Sequence, residues 1–471
     1  MEQVQSLLES VLALMPSTNI HQLSSIIQGI YAISSGGVTQ LNISRYSDIS
    51  YRSVNRFMSQ ETCWQKVYVE QLRWYLRGKV GVYLLAIDET VEDKAGKETH
   101  KIGYFFCSKA QKAIKSVSFA VLSVISVSER KSYVVDYVQL EQDKEKAAEN
   151  KAKKLAQKAK KGETKGGKSN AWETEKAVKH KGGRPVGSKT KEKGKTESVG
   201  FKALEFLLKR ILPLVCQIGI APCYLVGDGA YGNITTCLIA REQGLHLISK
   251  LHYNTALFHL PVGGSKKSKY GLRVDFDNLG DMAKEPLAIE IVRRVDIDGI
   301  LTCFQIKAVR TKHIDSVLNV VILRYLSLKT NKFSYCLLFS TDSELAGETL
   351  VDYYTLRFQI EFNFRDAKEF FGLSDFKSIK ERQVTNSVGL SFFMVNLSAI
   401  LLTDTKESLQ VDVLSINDIK AYFRAVFYAN RLKNTLNFSV PSFSDPKSIA
   451  FLANLGAVNL GKTTKKHRNA A

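Results

Sequence analysis

The stretch that most constrains this chain is DYYTLRFQIEFNFRDAKEFFGL, Asp352–Leu373. It holds no Pro, and its one Gly, Gly372, stands at the far end where helices stop, so it reads as one uninterrupted helix. Tyr354, Arg357, Glu361 and Lys368 follow at offsets of 0, 3, 7 and 14. At about 100° per residue they fall within an arc of roughly 60°, spread over ~21 Å of helix. Leu356, Ile360, Phe364 and Ala367 form a neighbouring apolar stripe. One face can enter a core while another presents a carboxylate flanked by two cations and a phenol. An ordinary amphipathic surface helix has the same Glu–Arg and Glu–Lys spacings. The two readings separate on whether further carboxylates stand where a metal ion and a polyanion would be held together.

Charge points to the same kind of partner. The formal net charge is +21 and the pI about 9.5, which favours a polyanion: nucleic acid first, an anionic membrane second. At 471 residues the chain suffices for two to four domains and a large core. Its seven cysteines, at 63, 107, 216, 223, 237, 303 and 336, show no CxxC pairing and read as thiols of a reducing compartment. No HxxxH or HExxH cluster points to zinc. The N-terminus lacks the basic-then-apolar pattern of a signal peptide. The longest apolar run, Val388–Leu402, carries Ser391, Asn396 and Ser398; it is expected to be a core helix that falls short of a membrane span.

Residues 1–80 read as helical. MEQVQSLLESVLALM makes an amphipathic helix stopped near Pro16, and HQLSSIIQGIYAISSGG a second ending at Gly36-Gly37. VTQLNISRYSDISYRSVNRFMSQ then resembles a helix-turn-helix, with Ser50 or Asp48 capping the second helix. Arg52, Asn55 and Arg56 would share one exposed face of it, suited to phosphates and base edges; an ordinary helical hairpin is the plain alternative.

Val82–Asp88, VYLLAID, is a near-continuous apolar run expected to be a buried strand ending in an acid. Strands follow at 115–126 and 131–140. Taken alone, Asp88 also suits a turn, and Glu89, Glu92 and Asp93 crowd it, so the functional acid could be displaced by one residue. Residues 141–200 hold 18 Lys or Arg against 9 acids and few large apolar residues, as in a flexible insert. Within it Gly183-Arg184-Pro185 resembles an AT-hook for the minor groove, though a second Arg after the Pro is missing; non-specific phosphate binding competes with that reading.

Phe201–Leu212 should be a helix kinked or stopped at Pro213. APCYLVGDGAYGN reads as a strand ending at Asp228 and entering a helix. Gly227-x-Gly229-x-x-Gly232 formally matches a dinucleotide fingerprint, but an acid sits where a pyrophosphate would approach, and the next strand, 246–253, lacks the ribose-binding acid. The glycines are better read as permitting a tight turn with room for DNA. LRVDFDNLG, LAIEIVRRVDIDG, LTCFQIKAVRTK and SVLNVVILRYLS look like strands of an insertion over 254–333; 334–342 returns to the core, and the remainder is helical with a basic tail.

Tyr354-x2-Arg357-x3-Glu361-x6-Lys368 resembles the YREK signature of a large group of bacterial insertion-sequence transposases. The resemblance implies an α/β, ribonuclease H-like catalytic core with a β-rich insertion and helical N- and C-terminal regions. The implied organisation is a DNA-binding region at 1–80, the catalytic domain at 81–253 and 334–405, the basic insert at 141–200, the β-rich insertion at 254–333, and a helical region at 406–471. It assigns Asp88, Asp228 and Glu361 as the carboxylates holding two Mg²⁺ (or Mn²⁺) ions, about 4 Å apart, for in-line displacement at phosphorus. Residues matching Tyr354, Arg357 and Lys368 contact phosphates of the transposon end, the Arg also holding an extruded base; Arg365, on the same helix, joins them as a DNA-binding cation. Expected partners are double-stranded DNA and a second copy in a synaptic homodimer, with no membrane, in a bacterial cytoplasm at the nucleoid. The expected cycle nicks the end, forms and reopens a hairpin, and joins 3′ ends to target DNA. Rival readings are a nuclease without strand transfer and a non-catalytic DNA-binding protein derived from a transposase.

Overall fold

The computed structural model describes residues 9–11, 13, 17–34, 36–142, 198–261, 269–409 and 414–436. The first amphipathic helix falls largely outside them, as does the basic insert over 143–197 with Arg184, and the basic tail does so entirely. Four helices open the described chain: α1 (Ser17–Ala32), α2 (Gln40–Arg45), α3 (Tyr51–Ser59) and α4 (Trp64–Leu76). The cap chemistry read from the sequence holds: Ser50 Oγ accepts the Ser53 N–H at 3.2 Å at the start of α3.

An 11-stranded mixed, open sheet follows. Its first half comprises β1 (Tyr83–Asp93), β2 (Gly103–Cys107), β3 (Lys112–Ser126), β4 (Lys131–Leu140), β5 (Tyr224–Gly227) and β6 (His246–Leu251). β1, β3 and β4 are antiparallel neighbours. β5 and β6 then add parallel to β1, after crossovers through α5 (Val199–Gln217) and α6 (Ile234–Glu242). The near-continuous apolar runs of β1 and β5 are what a strand covered on both faces requires. β7 (Leu257–Phe258), β8 (Ile289–Val295), β9 (Gly299–Thr311), β10 (Leu318–Ser327) and β11 (Lys332–Ser340) continue the sheet, β11 pairing antiparallel with β6. The strands of the 254–333 block therefore prolong the central sheet.

Helices α7 (Gly347–Leu356), α8 (Gln359–Phe370), α9 (Glu381–Leu409) and α10 (Ile416–Leu436) complete the described chain. α9 is long and apolar enough to span a membrane over Glu381–Thr403, more than the sequence reading allowed, yet 89% of that window is buried. Its polar residues are the reason it sits in a core. Ser391 donates to the Phe371 carbonyl at 2.7 Å, Asn396 bonds both backbone groups of Val134, and Ser398 meets the Tyr31 hydroxyl at 2.8 Å. Each pins a different element to this helix.

Four local expectations are corrected. β1 does not end at Asp88 but runs on to Asp93, because β3 supplies antiparallel partners the whole way, with Asp88 opposite Val121. α5 is not stopped at Pro213, the one of the two expected outcomes that is overturned: Pro213 is exposed, so the carbonyl that loses its partner can bond water and the helix runs on. LRVDFDNLG forms no strand: Asp275 accepts the backbone N–H of Asp277 at 3.0 Å, an Asx turn that competes with a ladder. The 352–373 stretch is two helices, not one. At Arg357 and Phe358 the N–H groups bond three residues back, to Tyr354 and Thr355, and Ile360 and Glu361 do likewise. This 3₁₀-like turn winds tighter and breaks the α pattern between α7 and α8.

Candidate active site

β1 and β5 lie side by side in parallel, with Ile87 opposite Gly227 as their last paired position. The next residue on each strand is Asp88 and Asp228. Neighbouring strands run about 4.8 Å apart, so two acids 140 positions apart in sequence meet where the parallel ladder ends. Asp228 then turns the chain: its Oδ1 accepts the Ala230 N–H at 2.9 Å and caps the 3₁₀ turn Gly229–Tyr231. The tight turn needs glycine for the protein's own packing. A Cβ on Gly227 would press into Tyr231, and one on Gly232 would collide with the Lys250 carbonyl. Among these glycines it is Gly229 that has space around it, so the expected room for DNA belongs to that position alone.

The break between α7 and α8 places Glu361 in the first turn of α8, where the helix dipole favours a carboxylate. Arg357, at the break, joins the three segments. Its Nη1 donates to Asp88 Oδ2 at 2.9 Å and its Nη2 to Glu361 Oε1 at 2.9 Å, while its buried Nε has no partner. The guanidinium also lies 5.9 Å from the Tyr354 ring centre. Farther along α8, Lys368 pairs with the buried Glu92 at 2.7 Å and reaches the Val91 carbonyl at 3.3 Å; Ser374 donates to the other oxygen of Glu92 at 2.6 Å. Arg357 and Lys368 thus tie α8 to β1 at Asp88 and at Glu92, with Glu361 joined to Asp88 through Arg357.

Strand alternation sorts the crowded acids. Asp88 and Glu92 share the face of β1 that meets Arg357 and α8, whereas Glu89 lies on the other. There Tyr231 donates its hydroxyl to Glu89 at 3.3 Å, and Gly200 at the start of α5 comes close to the same carboxyl. Asp93 is exposed. Burial pushes the Asp88 carboxyl up to about 6; the Glu89 N–H and Arg357 oppose that rise, and the charges of Asp228 and Glu361 add to it. Glu89 is also raised, by desolvation first and by Asp228. These acids are close enough to repel one another, with one guanidinium among them. Tyr231, Ser374 and the Glu92–Lys368 pairing carried no sequence signal, since each partner is supplied by a distant segment.

The other sequence candidates lie apart. Arg365 is exposed on α8 and pairs with Asp366 at 2.9 Å. Arg52 and Arg56 are exposed on α3, whereas Asn55 is half-buried and donates to Gln40 on α2 at 3.0 Å.

A family model described as DDE superfamily endonuclease matches residues 17–272, more than half of the chain. The chain belongs to the DDE endonuclease superfamily. No curated protein matches it. Membership brings DNA binding and nuclease- or transposase-type chemistry in general to this DDE endonuclease. The matched span contains Asp88 and Asp228 and stops before Glu361, so the third acid stands on its motif and its geometry.

Among the described residues no three His, Cys, Asp or Glu side chains are preassembled around one point. The donor chemistry nonetheless fits a hard divalent ion: oxygen-only carboxylates that destabilise one another's charge, two of them bridged by Arg357.

Proposed function

We propose that this DDE endonuclease is a cut-and-paste transposase of the YREK group, cleaving DNA at the ends of its own element and transferring the 3′ ends to a target. The observation that carries the reading is Arg357 bridging Asp88 and Glu361 at the strand end where Asp228 also emerges. A ribonuclease H-like core is supported by the strand order β4-β3-β1-β5-β6, antiparallel and then parallel. In this reading the strands over 254–333 form the β-rich insertion and residues 1–80 the DNA-binding region.

Asp88, Asp228 and Glu361 would hold Mg²⁺ or Mn²⁺. When bound, such ions supply Lewis-acid stabilisation of the attacking and leaving oxygens in an in-line displacement at phosphorus. Arg357 offers a phosphate a two-pronged fork, and taking that phosphate releases Asp88 and Glu361 from their present partner. Tyr354 adds a half-buried hydroxyl beside the same guanidinium. Lys368 reaches DNA only by leaving Glu92; held as it is, it fastens α8 along β1. The protein would act as a homodimer bridging both ends, at the nucleoid of a bacterial cytoplasm.

The test is cleavage of labelled DNA carrying the element's own ends, with Mg²⁺ or Mn²⁺, by wild type and by Glu361→Gln. Hairpin and joined products that vanish in the variant support the proposal. Cleavage without joining selects a nuclease, the second reading, because the carboxylates serve both. Equal DNA binding with no cleavage by either protein removes the catalytic reading.

A further inference from the structure

The first four residues of β3 project beyond β1, whose Asp93 pairs with Ser116; their partner is β2. The result is a two-stranded ribbon leaving the same end of β1 that carries Asp88 and Glu92. Tyr104 and Phe106, two positions apart on β2, share one face and are 62% and 60% exposed. Phe105, on the opposite face, packs against the core. Across the ladder Lys115 lies opposite Tyr104, and the small Ala113 lies opposite Phe106, leaving that ring open on one side. Lys101, Lys109, Lys112 and Lys115 belong to the ribbon and its flanks, and no Asp or Glu occurs between His100 and Ser128.

Exposed aromatic rings interleaved with lysines are costly to leave in water and match a nucleic acid whose base faces are open. Paired bases hide those faces in the stack, so the complementary ligand is unpaired DNA. A second protein strand is a poorer occupant. Gln142 already bonds both backbone groups of Tyr104 on the free edge, at 3.0 and 3.3 Å, which blocks strand addition there. Counted along the strands at about 3.4 Å per residue, Tyr104 and Phe106 lie roughly 20 and 27 Å from Asp88. That is several nucleotides from the cleavage point.

We propose that the β2–β3 ribbon binds unpaired nucleotides of the DNA substrate, Tyr104 and Phe106 stacking on bases while the lysines hold the phosphates. The proposal rests on the DNA substrate argued above, but not on catalysis. Its test uses the full chain and two fluorescent DNAs, a 30-base-pair duplex and the same duplex with a five-thymidine single-stranded extension. Affinities are measured by anisotropy without divalent metal. The double variant Tyr104→Ala/Phe106→Ala should lose roughly tenfold or more on the extended DNA, at about tenfold per stacked base, and less than about twofold on the blunt duplex. Tyr104→Trp/Phe106→Trp should retain the preference. 5-Iododeoxyuridine placed in the extension should photo-cross-link to Tyr104 or Phe106.

Equal loss on both DNAs, or no loss on either, overturns the proposal. So does a change in oligomeric state of the double variant in light scattering without DNA, which would assign the ribbon to a protein interface. Both variants should melt with wild type, since the rings are at the surface. Cleavage by the wild-type protein, with metal added, separates the two readings: an extension preference in a wild type that cleaves nothing keeps the ribbon and removes the transposase, and wild-type cleavage without the preference does the reverse.

Discussion

Two arginines meet buried carboxylates on this sheet, and they do so in opposite ways. Arg210, on α5, grips Asp136 of β4 with two bonds of 2.6 Å; Asp136 also accepts the Tyr137 N–H at 2.8 Å and is 2% exposed. One cation answers one anion, both carboxylate oxygens are used, and the guanidinium rests over Phe206 at 4.5 Å. Arg357 is divided between Asp88 and Glu361, with Asp228 beside them and its own Nε unpartnered. The first arrangement is closed and asks nothing of solvent or ligand. The second has more negative charge than its one cation balances, a condition that a bound cation and a phosphate would relieve together. Asp136 is fully buried whereas Asp88 and Glu361 are half-buried, and it is the unbalanced charge that singles out the candidate site.

The largest effect expected from this contrast is in catalysis. Asp88→Asn, Asp228→Asn and Glu361→Gln should each reduce DNA cleavage by more than about a thousandfold, as for members of one catalytic unit, without lowering the melting temperature. Cleavage surviving in any of them, or a variant that melts early, would erase the distinction. At the closed pair the pattern reverses. Asp136→Ala should cost about 3–5 kcal/mol in denaturant unfolding by stranding Arg210, while the folded fraction cleaves normally. Recovery of most of that loss in Asp136→Leu/Arg210→Met would show that the pair is replaceable packing.

A smaller effect concerns pH without metal. Asp88 is raised to about 6 in the folded chain from an ordinary 3.8, so the native state binds the extra proton in that window. The stability this contributes is complete below about pH 4 and disappears as pH rises through 6, a change of about 3 kcal/mol. Asp136 and Glu89 are raised too, so urea midpoints should fall with pH in both proteins but more steeply in wild type than in Asp88→Asn; parallel curves would count against a raised Asp88. The smallest effect belongs to the pair between the two extremes. Glu92→Gln should cost about 1 kcal/mol, because an uncharged partner still bonds Ser374 and Lys368 remains able to reach Val91. A loss as large as that of Asp136→Ala would place Glu92 with the closed pair.

Much of this organisation was legible along the chain. The apolar runs around Leu84 and Val226, the cap at Ser50 and the spacing of Arg357 and Glu361 are local matters, written in residue type and period. They suffice to place acids on strands and a helix, and the net charge names the kind of partner. What lay beyond the sequence depends on contacts between distant segments. β1 outruns Asp88 because β3 happens to be long enough to pair it, and Gly232 is required because Lys250 passes behind it. Glu92 was visible only as one of three acids crowding Asp88, and its bond to Lys368 appears when α8 is laid along β1.

Sequence alone therefore determined which groups this chain possesses and on what kind of element each sits, since helix and strand periods are properties of neighbours. Tertiary structure alone decided that Asp88, Asp228 and Glu361 share one charge environment with Arg357 at its centre. Coulomb energy depends on separation through space, and separation along the chain does not measure it.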